Sequence, residues 1–107
     1  MITFDAFSKL ELVIGTVVSV EDHPNADRLR ILKVDIGEEI PRTLVAGLKG
    51  HYEPGELEGM SVVVAANLEP AKLRGVESRG MILAAQDGDT VSVLKPDKPV
   101  SNGSRVL

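Results

Sequence analysis

Short segments rich in Val and Ile, each closed by a turn sequence, run through almost the whole chain and restrict it to a β-rich fold. The segments cover residues 12–20, 29–35, 42–48, 61–67, 80–85 and 90–94. Clusters of Pro, Asn, Asp or Gly separate them, and these residue types favour turns. At 107 residues the chain can bury one hydrophobic core but not two. The sequence therefore predicts a single all-β domain over residues 1–107.

Two short helices are predicted among the strands. Thr3 suits an N-cap, and Phe4, Phe7 and Leu10 follow at three-residue spacing, which puts them on one helical face. Residues 50–59 leave room for a turn or two of helix between the third and fourth strands. Three strands, a short helix and two further strands form the order of an OB-fold, a five-stranded, partly open Greek-key barrel.

Three glycines favour a barrel over a flat sandwich. Gly15, Gly47 and Gly80 lie within or beside predicted strands, where glycine usually marks a bulge, a corner or the close approach of another backbone. A generic small β-barrel is the alternative to the OB-fold.

The residues needed for catalysis or metal binding are scarce. The chain has no Cys and only two His, neither with further ligands at metal spacing. The acidic pairs Glu38-Glu39 and Asp87/Asp89 fall in predicted turns, and no nucleophile has a base at a recognisable spacing. We therefore expect no enzyme, no metal and no cofactor. The apolar runs are too short for a membrane helix, and the lack of Cys favours the cytoplasm.

Positive charge is concentrated in two stretches of an acidic chain. The net charge of −4 argues against a general nucleic-acid binder, which needs basic surface to displace counterions. The basic residues of the two stretches are Arg28, Arg30 and Lys33, and then Lys72, Arg74 and Arg79. Both stretches meet the loops that border the binding face of an OB-fold, here residues 21–28 and 68–79. This overlap indicates a nucleic-acid site, with ordinary surface charge as the alternative.

The three aromatic residues, Phe4, Phe7 and Tyr52, lie outside the predicted binding loops. Single strands are usually held by stacking on aromatic side chains, so a folded RNA contacted through phosphates and 2′-hydroxyls fits better. Donors suited to phosphate contact are Asn25, Arg28, Asn67, Lys72, Arg74 and Ser78. If residues 68–79 form an extended loop, Lys72 and Arg74 point to solvent and Leu73 anchors inward.

Several strings in these loops resemble a known family. They are His23-Pro24-Asn25-Ala26-Asp27-Arg28-Leu29, Val45-Ala46-Gly47, Asn67-Leu68-Glu69-Pro70-Ala71-Lys72-Leu73-Arg74-Gly75-Val76-Glu77-Ser78 and Gly80-Met81. They are similar to the signature of the tRNA-binding-domain family. That family includes stand-alone structure-specific tRNA-binding proteins and the C-terminal domain or β-subunit of methionyl-tRNA synthetases. The similarity runs from Phe4 to Val106.

The resemblance implies an OB-fold homodimer formed partly by terminal segments, which binds folded tRNA without catalysis and is associated with methionyl-tRNA synthetase. Carried over by position, it implies RNA contacts at Asn25, Arg28, Asn67, Lys72, Arg74 and Ser78, with Met81 lining the same surface. Lys33 joins these candidates as the last cation of the first basic stretch. Many members carry basic residues where this chain has Val13, Thr16 and Glu69, which predicts weaker tRNA binding or a different RNA.

Other interpretations stay open at this point. Asn25 and Asn67 are as well suited to stabilising turns as to touching RNA, and Ser78 to capping a turn. The alternative function is a dimerisation module or a peptide-binding, chaperone-like module with little RNA affinity. The start at Met1, just before the family-like residues, favours a stand-alone protein or a separate synthetase subunit.

Overall fold

A nearly closed barrel of five antiparallel strands dominates the computed structural model, which describes residues 1–107. The elements in chain order are α1 (Phe4–Ser8), β1 (Leu12–Asp22), β2 (Arg30–Asp35), β3 (Arg42–Ala46), α2 (Pro54–Leu57), β4 (Ser61–Ala65), β5 (Ala71–Leu73), β6 (Val76–Ser78), β7 (Met81–Ile82), β8 (Ala84–Asp87) and β9 (Thr90–Val93). The barrel strands lie in the order β3-β2-β1-β4-β7. Neither helix is long and apolar enough to cross a membrane.

The barrel closes where β3 meets the residues just before β7. The backbone N–H of Arg79 donates to the carbonyl of Thr43 at 2.9 Å, and the N–H of Val45 donates to Ser78 Oγ at 3.0 Å. Three consecutive strands with the next strand returning beside the first form a Greek key. This topology confirms the predicted OB-fold with a short helix before β1 and another between β3 and β4.

The barrel interior is filled by alternate residues of the strands. The fully buried side chains of the strands include Leu32, Leu44, Val62 and Val64. Leu57 of α2 is also fully buried and belongs to the same core cluster. β4 is buried along Val62–Ala65 on both faces, because a second apolar cluster of Leu12, Ile14, Val63 and Ala65 covers its outer side. The segment 61–67 therefore contributes to both apolar clusters of the domain.

Two of the three glycines singled out in the sequence are required by close packing. A Cβ on Gly15 would lie 2.8 Å from Val34 Cγ1, and one on Gly80 would lie 2.9 Å from the carbonyl oxygen of Ala65. Gly80 also has a φ of +136°, which only glycine adopts readily. Gly47 has nothing within 4 Å of such a Cβ, so the barrel-corner interpretation of Gly47 is wrong.

Two predictions about the second half of the chain are wrong in detail. Residues 68–79 are not an extended loop, since they contain the hairpin formed by β5 and β6. The apolar stretch 80–85 is not one strand, because β7 stays on the barrel and β8 pairs with β9 in a separate ribbon. A continuous apolar run does not reveal where a chain leaves one sheet for another.

The two ends of the chain meet along β1. Thr3 caps α1 as predicted, with Oγ1 accepting from the N–H of Ala6 at 3.1 Å. The N–H of Gly103 donates to the carbonyl of Ile14 at 2.7 Å, so the C-terminal segment pairs with the edge of β1 left free by β2. Arg105 Nη2 then donates to the carbonyl of Ser8 at 3.1 Å, which joins this segment to α1.

Candidate nucleic-acid interface

The hairpin formed by β5 and β6 projects beside the barrel and carries two of the predicted RNA contacts. Arg74 and Gly75 form its two-residue turn with φ of 53° and 91°. Positive φ at both positions is typical of a type I′ turn, whose twist matches that of the adjoining strands. Lys72 lies opposite Glu77 on one face of the hairpin. Arg74 is therefore held at the tip in a backbone conformation that is unusual for a residue with a side chain.

His23 bonds the first loop to this hairpin. The ring is buried, its Nε2 lies 2.8 Å from the carbonyl oxygen of Leu73, and its Nδ1 accepts from the N–H of Asn25 at 3.0 Å. These partners assign the proton to Nε2, because a carbonyl oxygen only accepts and an N–H only donates. The structure thus brings together the two loops that the sequence proposed as one site.

Ser78 fixes the base of the hairpin from the inside. It is only 4% exposed. Its hydroxyl accepts from Val45 N–H and donates to the carbonyl of Gly80 at 2.9 Å. With the hydroxyl enclosed and engaged at both ends, Ser78 is not placed to reach a phosphate. The turn-capping interpretation describes it better than the RNA-contact one.

Arg42 anchors the other side of the base. Its Nη1 donates to the carbonyls of Ala66 at 2.5 Å and Arg79 at 3.1 Å, so one guanidinium joins β3 to the residues on both sides of the hairpin. Its Nε and Nη2 donate to the two carboxylate oxygens of Glu38 at 2.8 and 2.9 Å. These hydrogen bonds lower the pKa of Glu38 and raise that of Arg42.

Three of the predicted cations remain free on this surface. Arg28, Lys72 and Arg74 are exposed, and none of them takes part in the four ion pairs of the chain. Arg79 is also exposed, but its Nη1 lies 3.5 Å from Glu77 Oε1. Because Arg28, Lys72 and Arg74 form no ion pair with a carboxylate, their charges remain available to attract an anion.

The first basic stretch is smaller at the surface than its sequence suggests. Arg30 is only 5% exposed and its Nη1 contacts Asp22 at 2.5 Å, so it is not an ordinary surface charge. Its position in β2 has the same parity as Leu32, which turns it inward. Lys33, one residue along from Leu32, is exposed and donates to Thr43 Oγ1 at 2.6 Å.

Of the remaining candidate side chains, two are exposed and one is engaged by the protein itself. Asn25 is exposed in the first loop beside the His23 ring, and Met81 is exposed at the start of β7. Asn67 is exposed but already engaged: its Oδ1 accepts from the N–H of Glu11 at 2.7 Å and its Nδ2 donates to the carbonyl of Lys9 at 2.6 Å. Asn67 therefore holds the α1–β1 connection, which supports its structural interpretation.

Two positions where the resemblance implies a basic residue make structural contacts in this chain. Val13 packs against the barrel core and bridges to Arg105. Thr16 donates from Oγ1 to Asn102 Oδ1 at 2.7 Å. The Val13 side chain is thus packed on the core and the Thr16 hydroxyl is bonded to the C-terminal segment.

Comparisons with known proteins agree with this geometry. Residues 12–105 match the family described as "Putative tRNA binding domain", a span that includes both loops, the hairpin and the closing contact with β3. The chain belongs to the tRNA-binding domain family. A relative, methionine–tRNA ligase of Thermococcus kodakarensis, is 59% identical over 105 residues, which are 98% of this chain and 14% of that protein. The chain thus spans about one seventh of the length of these curated relatives.

Solved structures of tRNA-binding domain relatives have the same fold. The MetRS-related protein of Pyrococcus horikoshii is 35% identical, with a TM-score of 0.91 over 100% of this chain and 98% of that one. The CsaA chaperone protein of Picrophilus torridus is 27% identical, with a TM-score of 0.92 over the whole of both chains. The fold is therefore shared by relatives whose names include a synthetase-related protein and a chaperone.

Two residues that organise the site were missed in the sequence. His23 stands in the first quoted string, but nothing local shows that its ring reaches a carbonyl 50 residues away. Arg42 lies outside both basic stretches, and its role depends on barrel closure. The string that begins at His23 nevertheless identified the loop that contacts the hairpin.

Proposed function

We propose that this chain is one non-catalytic domain, residues 1–107, that binds folded tRNA through Arg28, Lys72 and Arg74. The observation that carries the proposal is the bond between His23 and the hairpin, which holds the two loops with these cations together before any ligand arrives. Membership of the tRNA-binding domain family supports tRNA as the ligand. The similarity to methionine–tRNA ligases supports a methionyl-tRNA synthetase as the protein with which the domain works.

The mode of binding follows from what the surface offers. Free guanidinium and ammonium groups attract phosphates strongly, but contacts to phosphate carry no base sequence. No aromatic side chain lies on the hairpin or in the first loop, so extended stacking of a single strand is not supported. The surface is suited to recognising the shape of a folded RNA.

Titration with salt tests this function directly. Wild-type protein is expected to bind a folded tRNA transcript with an affinity that falls steeply with salt, with a slope of log affinity against log salt near −2 to −3, since about three cations displace counterions. Fluorescence anisotropy at four or more salt concentrations gives the slope. A matched transcript denatured by base changes in its stems should bind more weakly. Absence of binding at low salt, or an affinity indifferent to salt, would exclude the proposal.

We also propose that two copies of the chain associate through the surface of α1 and the C-terminal segment. Phe4 is 80% exposed, and together with Phe7, Leu10 and Val106 it lines an apolar groove of about 290 Å³. Apolar surface of this kind on a small domain favours a partner, because burying it releases about 25 cal/mol per Å².

Molar mass in solution tests the dimer. Light scattering at micromolar concentration is expected to give twice the chain mass of 11.4 kDa. Phe4→Asp combined with Phe7→Asp should return the mass of one chain, because a charge on each face would have to be desolvated. Val100→Asp, at an exposed apolar residue outside the groove, is the control and should leave the dimer intact. A wild-type protein with the mass of one chain would refute the dimer.

A peptide-binding module is the second candidate. The apolar groove beside the hairpin and the similarity to CsaA chaperone proteins favour it. It predicts that an apolar peptide binds and that tRNA does not displace it.

A further inference from the structure

The hairpin leaves an open apolar groove between itself and the barrel. Every second residue of a strand lies on the same face, and paired residues share a face, so Ala71 and Leu73 of β5 are on the same side as Val76 and the buried Ser78 of β6. That side faces the barrel, yet Leu73 stays 38% exposed. The prediction that Leu73 anchors inward is therefore only half right: it faces the barrel without being packed against it.

The side chains that line this groove are mostly apolar, and several of them are exposed to solvent. Five of the eight residues that line this space of about 260 Å³ are apolar: Val45, Leu68, Ala71, Leu73 and Met81. Leu68 is 40% exposed and Met81 48%. The volume is below the roughly 300 to 1,000 Å³ of sites for drug-sized ligands, which suits one planar ring system better than a run of peptide.

The charges around the groove match the parts of a nucleotide. Arg74 forms the tip of the hairpin next to Leu73, and Arg28 is on the loop that His23 bonds to Leu73, so the segments at one end of the apolar opening carry two cations. Lys72 is on the opposite face of β5 from Ala71 and Leu73. A carboxylate, Glu69, is at the edge of the groove. A nucleotide combines an apolar base face, an amino group that can donate to a carboxylate and an anionic phosphate. An apolar peptide side chain would leave the cations without a partner.

We propose that this groove holds one unpaired base of the bound RNA, with Glu69 accepting from the amino group of the base and Arg74 contacting an adjacent phosphate. The inference rests on the proposed tRNA binding and adds a subsite to it. Apolar contact with Leu73 and Met81 replaces the aromatic stacking that this chain lacks. The base need not be read in full, since an amino group is common to adenine, cytosine and guanine.

Methyl NMR of the full chain with a folded tRNA transcript tests the subsite. No Phe, Tyr or Trp lines the groove, and the His23 ring is already fixed at the Leu73 carbonyl in the free protein, so a new upfield ring-current shift on adding tRNA reports a base of the ligand. We expect such shifts at the methyl groups of Met81 and Leu73 and none at Leu94, which is also exposed but lies outside the groove.

Variants provide the second readout. Leu73→Asn should weaken tRNA binding about five- to tenfold, from the loss of about 50 Å² of apolar contact, with an unchanged salt slope because no cation is lost. Leu94→Asn is the matched control and should bind as wild type. Glu69→Ala should weaken binding if the carboxylate accepts from a base, and strengthen it if Glu69 only repels phosphates, which would overturn its assigned role.

The outcomes separate the subsite from the function on which it rests. If tRNA binds with the expected salt dependence but Met81 and Leu73 shift no more than Leu94, the subsite is wrong and tRNA binding stands. If tRNA does not bind at all, both fail. If a Trp-containing apolar peptide shifts these methyl groups and tRNA does not displace it, the groove is a peptide site and the proposal is overturned.

Discussion

A variant with Lys72→Gln and Arg74→Asn is expected to bind folded tRNA about 10- to 100-fold more weakly than wild type near 0.1 M salt. Each free cation contributes a charge-assisted contact, commonly about 1.5 to 3 kcal/mol when hydrogen-bonded, with part of it lost to solvent screening. The slope of log affinity against log salt should fall in magnitude by about 1.4 to 1.8, the value for two phosphates.

The choice of residues follows from the hairpin. Arg74 has a φ of +53°, a conformation that Asn tolerates well and Ala does not, and Asn-Gly is the preferred pair for a type I′ turn. Arg74→Asn therefore removes the charge while keeping the turn, whereas Arg74→Ala would change both. Circular dichroism and thermal unfolding should be close to those of wild type.

A charge-matched control is available elsewhere on the chain. Lys95 and Lys98 are exposed and line a cleft with Ser61, at the start of β4, whereas the hairpin follows the end of that strand. Lys95→Gln with Lys98→Asn makes the same change in net charge. If this control weakens tRNA binding as much as the hairpin variant does, the effect is one of overall charge and the hairpin is not the contact surface.

Gly80→Ala is expected to lower the free energy of unfolding by about 2 to 4 kcal/mol. The φ of +136° costs a residue with a side chain about 1 to 3 kcal/mol. The added Cβ would also lie 2.9 Å from the backbone oxygen of Ala65, which a side-chain rotation cannot relieve, and overpacking commonly adds about 1 to 3 kcal/mol.

Gly47→Ala is the matched control for this prediction. A Cβ there meets nothing within 4 Å, so its stability should be within about 0.5 kcal/mol of wild type or slightly higher, because the unfolded chain loses freedom. Chemical denaturation of the three proteins measures the difference. Equal midpoints for the two glycine variants would show that Gly80 is not constrained as described.

The sequence predicts the barrel well because its signals are local. The Val-rich segment of β4, the turn after β1 and the Thr3 cap each depend on neighbouring residues, and the strand order follows from their succession. The hairpin of β5 and β6 was not predicted because its strands are three residues each, too short for an alternation to be recognised. The split between β7 and β8 depends on which partner each half finds.

The candidate site was predicted only in part, because some of its contacts depend on residues distant in the sequence. Lys72 and Arg74 could be recognised by type and neighbourhood, and their exposure agrees with expectation. Whether Ser78 and Asn67 face a ligand or the protein depends on contacts from Val45 and Lys9, which are 33 and 58 residues away in the chain. Polar residues in loops are ambiguous until such distant partners are known.

The bond from His23 to Leu73 has a consequence for the speed of recognition. A loop that must fold around its ligand slows association and adds an ordering cost to every encounter. Here His23 Nε2 of the first loop is already 2.8 Å from the Leu73 carbonyl oxygen of the hairpin. The proposed RNA surface is therefore formed before the ligand binds. Encounter is then limited by diffusion and by the local positive field. Substitutions of individual side chains are therefore expected to change the lifetime of the complex more than its rate of formation.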